Sequence, residues 1–253
     1  MKTAVISGGN GGLGRALAAG LEAKGWHCVL LDLNIDGLEP GETRTPIQVD
    51  LTDAAALRRA AVKLIAARPS IDMVIYNAGV SQIGSFAEAD ETSHRRVFEI
   101  NYFAAVGMAR AFLSALRQSG GIHLAISSVA GFAPLHNRTA YAASKHALEG
   151  FFGSLRSEET PYGVRTLIAA PSFVATNIGN ADRSEDGIMR PGAASDGVDY
   201  MSPEDAAAVI LRGVEKGREF IPVGRVATLA SLMMRASPRL YQWAMRRNIS
   251  GQN

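Results

Sequence analysis

Cysteine is almost missing from this 253-residue chain: Cys28 stands alone, so no intramolecular disulfide can form, and no Cys/His cluster suggests zinc. Charge of one sign is also lacking. Lys plus Arg number 26 against 24 Asp plus Glu, a net +2, and this balance gives no sign of the basic face that nucleic-acid binding needs. No apolar run approaches the ~18 residues of a membrane span. The opening Met1-Lys2-Thr3-Ala4-Val5-Ile6-Ser7-Gly8 meets glycine too soon to be a signal peptide. His27, His94, His123, His136 and His146 show no metal-ligand spacing, so no metal is expected. These absences leave a reduced, soluble protein, expected in the cytoplasm. Hydrophobic residues at 47 % are globular in proportion, and the length suits a single α/β domain over 1–253.

Short apolar runs bounded by turn residues recur along the chain. Ala4–Ile6, Cys28–Leu31, Pro46–Val49, Ile71–Ile75, Ile122–Ile126, Val164–Ile168 and Glu219–Ile221 read as strands. Their near-continuous apolarity is what strands covered on both faces require. Gly12–Gly25, Asp53–Arg68, Thr92–Gln118 and Thr139–Glu159 are long enough for helices, with Thr52 as an N-cap and Pro161 as a stop. Strand–helix alternation predicts right-handed crossovers and a doubly wound, mostly parallel seven-stranded sheet of the Rossmann type.

Ser7-Gly8-Gly9-Asn10-Gly11-Gly12-Leu13-Gly14 joins the first strand to the first helix. Glycines there let a pyrophosphate approach the helix N-terminus, where free N–H groups and the dipole receive it. Two registers fit: Gly9, Gly11 and Gly14, or Gly8, Gly12 and Gly14. Asp32 ends the second strand, where a carboxylate can accept from both ribose hydroxyls and would repel a 2′-phosphate. Leu33 and Gly11 offer no compensating cation, so NAD is favoured over NADP; Arg15 reads as a solvated or phosphate-facing charge. The plain alternative is that Asp32 caps a turn.

Tyr141 and Lys145 lie four apart, on one face of a predicted helix. A phenol with a pKa of ~10 is a poor base, but a neighbouring ammonium stabilises its phenolate. Tyrosine then becomes a general acid or base.

Jointly with Asn77-Ala78-Gly79, Asn101, Ile126-Ser127-Ser128 and Pro171-Ser172-Phe173-Val174-Ala175-Thr176, these motifs resemble the short-chain dehydrogenase/reductase family from Thr3 to about Ile221. The resemblance implies hydride transfer between NAD(H) and a secondary alcohol or ketone. Tyr141 is then the acid/base, Lys145 holds the nicotinamide ribose, Ser128 binds the substrate oxygen, and Asn101 anchors a water in the proton path. It implies cofactor contacts at Gly8, Gly12, Leu13, Gly14, Asp32, Asp50, Leu51, Asn77, Ala78, Gly79, Tyr141, Lys145, Val174 and Thr176. Substrate contacts fall on Ser128, Tyr141, His136 and Phe173, with Phe132, Leu135, Ile178 and Met189 as further apolar candidates. The helices Thr92–Gln118 and Thr139–Glu159 would pair subunits in a homodimer or homotetramer. Departures from the family pattern are Ser7 for threonine, Tyr76 before Asn77, and Ser172 for glycine. A nucleotide-binding sensor or scaffold without turnover is the alternative function.

Two segments break the pattern. Residues 177–200 are polar and glycine-bearing, as a substrate lid is. The tail, about 224–253, carries Arg225, Arg235, Arg239, Arg246 and Arg247 and no acid, with Leu229, Leu232 and Met233 on one helical face. Such a tail suits a flap over the pocket or a subunit contact, ahead of peripheral contact with an anionic membrane.

Overall fold

Strand β1 (Thr3–Ser7) is buried along its length, and its side chains divide between two cores: Ala4 and Ile6 face one way, Val5 the other. The same division runs through β2 (His27–Asp32), with Cys28 and Leu30 opposed to Val29 and Leu31. It continues through β4 (Met73–Tyr76), with Met73 and Ile75 opposed to Val74 and Tyr76. A sheet apolar on both faces must be covered on both. Helices α1 (Gly12–Glu22) and α6 (Pro203–Glu215) cover one face; α2 (Ala54–Ala67), α4 (Ala104–Ser119) and α5 (Thr139–Glu159) cover the other. These elements come from a computed structural model that describes residues 1–176, 188–189 and 200–243.

With β3 (Arg44–Gln48), β6 (Ile122–Ile126), β7 (Arg165–Pro171) and β9 (Phe220–Val223), the sheet has seven parallel strands in the order β3-β2-β1-β4-β6-β7-β9. The chain order reverses between β1 and β4, so the loops after those strands diverge and open a crevice at the carboxyl edge. A short antiparallel pair, β5 (Ser81–Gln82) with β8 (Ile188–Met189), stands apart from the main sheet. Both edge strands contain a proline. The Cys28 N–H donates to the Thr43 carbonyl and the Val49 N–H to the Asp32 carbonyl, so the odd positions of β3 face β2 and Pro46 faces outward. By the same alternation, the Glu219 and Val223 carbonyls accept from β7 and Pro222 faces outward from β9.

All seven predicted strands form. The expected N-cap moves by one residue: the Asp53 carboxylate, not Thr52, accepts from the Ala55 and Ala56 N–H groups at 2.8 and 3.0 Å. The predicted helix over Thr92–Gln118 is interrupted. It divides into α3 (Glu91–Phe98), a π-helical turn (Glu99–Phe103) and α4. α5 stops at Glu159, just before Pro161. Helix α6 was not anticipated, although Ser202 caps it, Pro203 starts it and Glu204 and Asp205 fill its first turn.

The tail forms α7 (Arg225–Ala236), then a further helical turn after Ser237. Its inner side, with Ala227, Ala230 and Tyr241, packs on Val129 and Ala133, and the Tyr241 hydroxyl donates to the Pro134 carbonyl at 3.2 Å. The expected apolar face is split: Met233 turns inward, whereas Leu229 and Leu232 are each 60 % exposed. Those two leucines therefore do not cover the pocket. Residues 244–253, with Arg246 and Arg247, and most of the expected lid lie outside the described residues.

Candidate active site

In the glycine turn Gly8, Gly9, Gly12 and Gly14 are all closely packed, Gly9 with a Cβ position 2.6 Å from the Leu30 Cβ, and only Gly11 is open, which favours the register Gly8, Gly12 and Gly14. Gly8 has φ +63°, in the left-handed region, and a Cβ there would lie 2.9 Å from the Ala78 Cα. A Cβ on Gly14 would lie 2.2 Å from the Gly8 carbonyl oxygen, so only glycine lets the helix start beneath the loop. Gly11 meets nothing closer than 3.4 Å. α1 begins with no side-chain cap and no acid in its first turn, leaving its N–H groups and positive dipole end to an anion.

Asp32 fastens this loop. Its carboxylate accepts from the Asn10 N–H at 2.8 Å and from the Asn34 N–H at 3.3 Å. The turn-capping role is thus present, and it coexists with a place on the cavity wall beside Leu33. Arg15 does not face the phosphate position. Its guanidinium donates to the Asn10 side-chain oxygen and to the Asn10, Asp36 and Gly37 carbonyls, clamping the loop after β2. Asp50 forms a small turn, accepting from the Thr52 N–H and hydroxyl at 2.8 and 2.7 Å.

Ser7 latches two strand ends together. Its hydroxyl accepts from the Asn77 and Ala78 N–H groups at 2.9 and 3.0 Å and donates to the Ile75 carbonyl at 3.3 Å. The Asn77 amide returns to the Ser7 and Gly8 carbonyls, each at 3.0 Å. Replacing the family's threonine by serine therefore keeps every contact that the hydroxyl makes. Tyr76, the other departure, points into the core, where its hydroxyl bonds His123 Nδ1 at 2.6 Å and its ring packs on Phe152.

At the opposite end, Tyr141 sits in the first turn of α5, half-buried, on the same cavity wall as Ser128. Burial pushes the Tyr141 phenol above its ordinary value, while Ser128 and the Arg138 charge pull it back down. Lys145, one turn on, is 4 % exposed; its Nζ donates to the Ile126 carbonyl at 2.9 Å and lies 5.9 Å from the Tyr141 ring centre. Burial brings the lysine down to about 8, against the opposing pull of Glu149.

Asn101 lies in the π-helical turn, a deformation that recurs at functional sites. Its side chain exchanges hydrogen bonds with the Val80 backbone at 2.8 and 2.9 Å and donates to the Ser144 hydroxyl at 3.0 Å. It therefore stands behind the cavity wall rather than on it.

A cavity of about 1020 Å³ joins the two ends, at the upper limit of ordinary ligand sites of ~300–1,000 Å³. Of the expected cofactor residues, Gly8, Gly12, Leu13, Asp32, Asp50, Leu51, Asn77, Ala78, Gly79, Tyr141, Lys145, Val174 and Thr176 line it; Gly14 does not. Ser128 and Phe173 line it as well. His136 is exposed and absent from the wall, which makes it a poor substrate contact in this conformation. Phe132 instead packs edge-on against Phe220, while Leu135 reaches the cavity and Ile178 is outside the described residues. The sequence reading missed Arg138, 8 % exposed and on the wall three residues before Tyr141; that spacing was the available signal.

The wall fits a dinucleotide. A side chain on Gly12 would press on Thr176 at 3.1 Å, so glycine keeps open the space between helix start and loop. The Ser172 hydroxyl is buried at the cavity wall and has no hydrogen-bond partner. Among the described residues no cluster of His, Cys, Asp or Glu could hold a metal ion.

The short chain dehydrogenase family model matches residues 2–187. The chain belongs to the short-chain dehydrogenases. It is 33 % identical to dehydrogenase/reductase SDR family member 7B of Xenopus laevis, over 94 % of this chain and 78 % of that protein. A Drosophila melanogaster SDR family protein 7-like relative is 27 % identical over 96 % of this chain and 79 % of its own length. Among solved structures, a Burkholderia cenocepacia short chain dehydrogenase in complex with NADP superposes with a TM-score of 0.84 at 23 % identity, covering 96 % of each chain. A Burkholderia phymatum short chain dehydrogenase/reductase in complex with NAD gives 0.77 at 22 % identity, covering 92 % of each chain. This short-chain dehydrogenase thus shares its fold with proteins bound to either nucleotide.

Proposed function

We propose that this oxidoreductase transfers a hydride between NAD(H) and a secondary alcohol or ketone, with Tyr141 exchanging the proton. The meeting of Ser128, Tyr141 and Lys145 on one wall of the cavity that begins at the glycine turn carries this reading. The nicotinamide, when bound, supplies or accepts the hydride. In the reducing direction the Tyr141 Oη delivers its proton to the substrate oxygen while the Ser128 Oγ donates a second hydrogen bond there. In oxidation Tyr141 takes that proton back, and Lys145 Nζ, when charged, stabilises the phenolate between turnovers. Asn101 fixes the Val80 backbone and Ser144 behind them.

NAD is preferred in this reading because the Asp32 carboxylate lies on the wall beside uncharged Leu33, where a 2′-phosphate would be repelled. Val80, Ile83, Leu135 and Phe173 at the reaction end suit an alcohol with an apolar body. Turnover with a panel of secondary alcohols, from small diols to sterols, with NAD and NADP, is the deciding experiment. Tight NADH binding with no turnover on any member would favour the sensor instead.

The same proposal includes a homodimer or homotetramer paired through α4 and α5, to be read by sedimentation velocity. It also includes peripheral contact with an anionic membrane: exposed Arg225, Arg235 and Arg239 surround the outward Leu229 and Leu232. Salt-sensitive co-sedimentation with phosphatidylserine vesicles, lost in Leu229→Glu with Leu232→Glu, is expected; equal binding by that variant would refute the contact.

A further inference from the structure

Directly before Ser128, Ser127 also borders the cavity. Its hydroxyl donates to Glu149 Oε1 at 2.6 Å, joining the end of β6 to the middle of α5. Gly131 makes room for this pair. A Cβ there would lie 2.2 Å from the Ser127 Oγ and 2.3 Å from the Glu149 Oε1. Three residues from separate stretches therefore interlock beneath the reaction end. Glu149 follows Lys145 by four positions, so its carboxylate is on the same face of α5 as the ammonium.

We propose that Glu149, steered by Ser127, is the resident counter-anion of Lys145 and a positioning residue for the Tyr141–Lys145 pair. The inference rests on the acid/base reading of that pair given above. Burial weakens the lysine's hold on its proton and the tyrosine's ability to lose one. A lysine that discharges before the phenol ionises cannot stabilise the phenolate, so the pair needs an anion next to the lysine. Glu149 supplies it: burial raises its carboxyl above the ordinary range, and the Ser127 hydrogen bond pulls it back toward the ionised form.

The other groups around Lys145 do not supply that anion. β6 presents the Ile126 carbonyl, and the loop after β4 presents Gly79, beside the Asn101 amide of the π-helical turn. Arg138 faces Tyr141 from before α5, and Arg96 and Glu99 lie elsewhere on the cavity wall. His146 sits by Glu149 on the outer side and is exposed.

Glu149→Gln keeps the shape and an acceptor for Ser127 but removes the charge. Its expected effect is a fall of about one pH unit in the midpoint at which Lys145 loses its proton. This is read in the cofactor-free protein from the lysine Cε signals by NMR, assigned with Lys145→Met. The alkaline limb of kcat/KM should move the same way, costing roughly tenfold at pH 9 and less than twofold at pH 6.5. Glu149→Asp should restore most of the shift. Gly131→Ala, which displaces the carboxylate without removing it, should lower the midpoint by a smaller amount and serves if the glutamine variant does not fold. An unmoved lysine midpoint in whichever variant folds overturns the inference. Because that midpoint is read without turnover, it separates failure of the brace from failure of the proposed reaction.

Discussion

At the glycine end of the cavity the fastenings run to backbone: Ser7 to the Asn77 and Ala78 amides, Asp32 to the Asn10 amide, Asn77 to the Ser7 and Gly8 carbonyls. At the tyrosine end side chains also bond one another, Ser127 to Glu149 and Asn101 to Ser144, alongside the bonds of Lys145 and Asn101 to the Ile126 and Val80 backbone. The Ser7 and Asn77 fastenings join groups that do not titrate, and they fix a shape that does not change with pH. The second end also holds Tyr141, Lys145 and Glu149, groups that gain or lose protons, so it can be disabled by charge alone. The first end should fail through geometry, the second through protonation.

The largest test falls on the second end. Tyr141→Phe removes the oxygen proposed as the acid/base and little volume, so kcat should fall by about 10²–10⁴-fold while NADH affinity measured by fluorescence stays within about twofold. Retention of a tenth of kcat would contradict the assigned role.

Next comes the first end. Gly14→Ala puts a methyl against the Gly8 carbonyl, rigid backbone that cannot step aside. NADH affinity should weaken by tenfold or more, ~1.4 kcal/mol, with no change in the pH dependence of the remaining activity. A shifted pH profile would show that the two ends are not independent.

Asp32 joins both descriptions, and two variants separate them. Asp32→Asn keeps an oxygen for the Asn10 N–H but drops the charge, so the NAD preference in kcat/KM should relax by roughly tenfold with an unchanged Tm. Leu33→Arg added to it should carry the shift further. Asp32→Ala also loosens the loop and should weaken both cofactors. If the asparagine and alanine variants matched, the charge would have no role of its own.

The smallest effect is on stability. Ser7→Ala leaves two N–H groups without their acceptor, a cost of about 1–3 kcal/mol, or a Tm lower by roughly 3–10 °C. Ser7→Thr should cost almost nothing.

Sequence reading succeeded where one residue type answers one physical demand. Apolar runs marked strands covered on both faces, and Tyr141 with Lys145 at helical spacing marked two neighbours on one helix that line the same cavity. It stopped where the decisive contact is distant. The break in α3–α4 carries no glycine or proline, because it serves the Asn101 contacts to Val80 and Ser144. Ser127 and Glu149 are 22 positions apart, and nothing local marks either. Arg15 read as a solvated or phosphate-facing charge because its partners, at Asp36 and Gly37, sit on a loop that only folding brings near. Helix α6 was legible after all in Ser202-Pro203-Glu204-Asp205; its cap signal was passed over beside the glycine-bearing stretch.

Pro46 and Pro222 have a consequence at larger scale. Each removes an amide from the outward row of its edge strand, so neither border of the sheet offers an unbroken ladder to an incoming strand. Growth of the sheet from molecule to molecule is blocked at both borders, in the native protein and in any partly opened form that keeps β3 and β9 in place. An assembly of copies would then have to use surfaces other than the borders of the sheet.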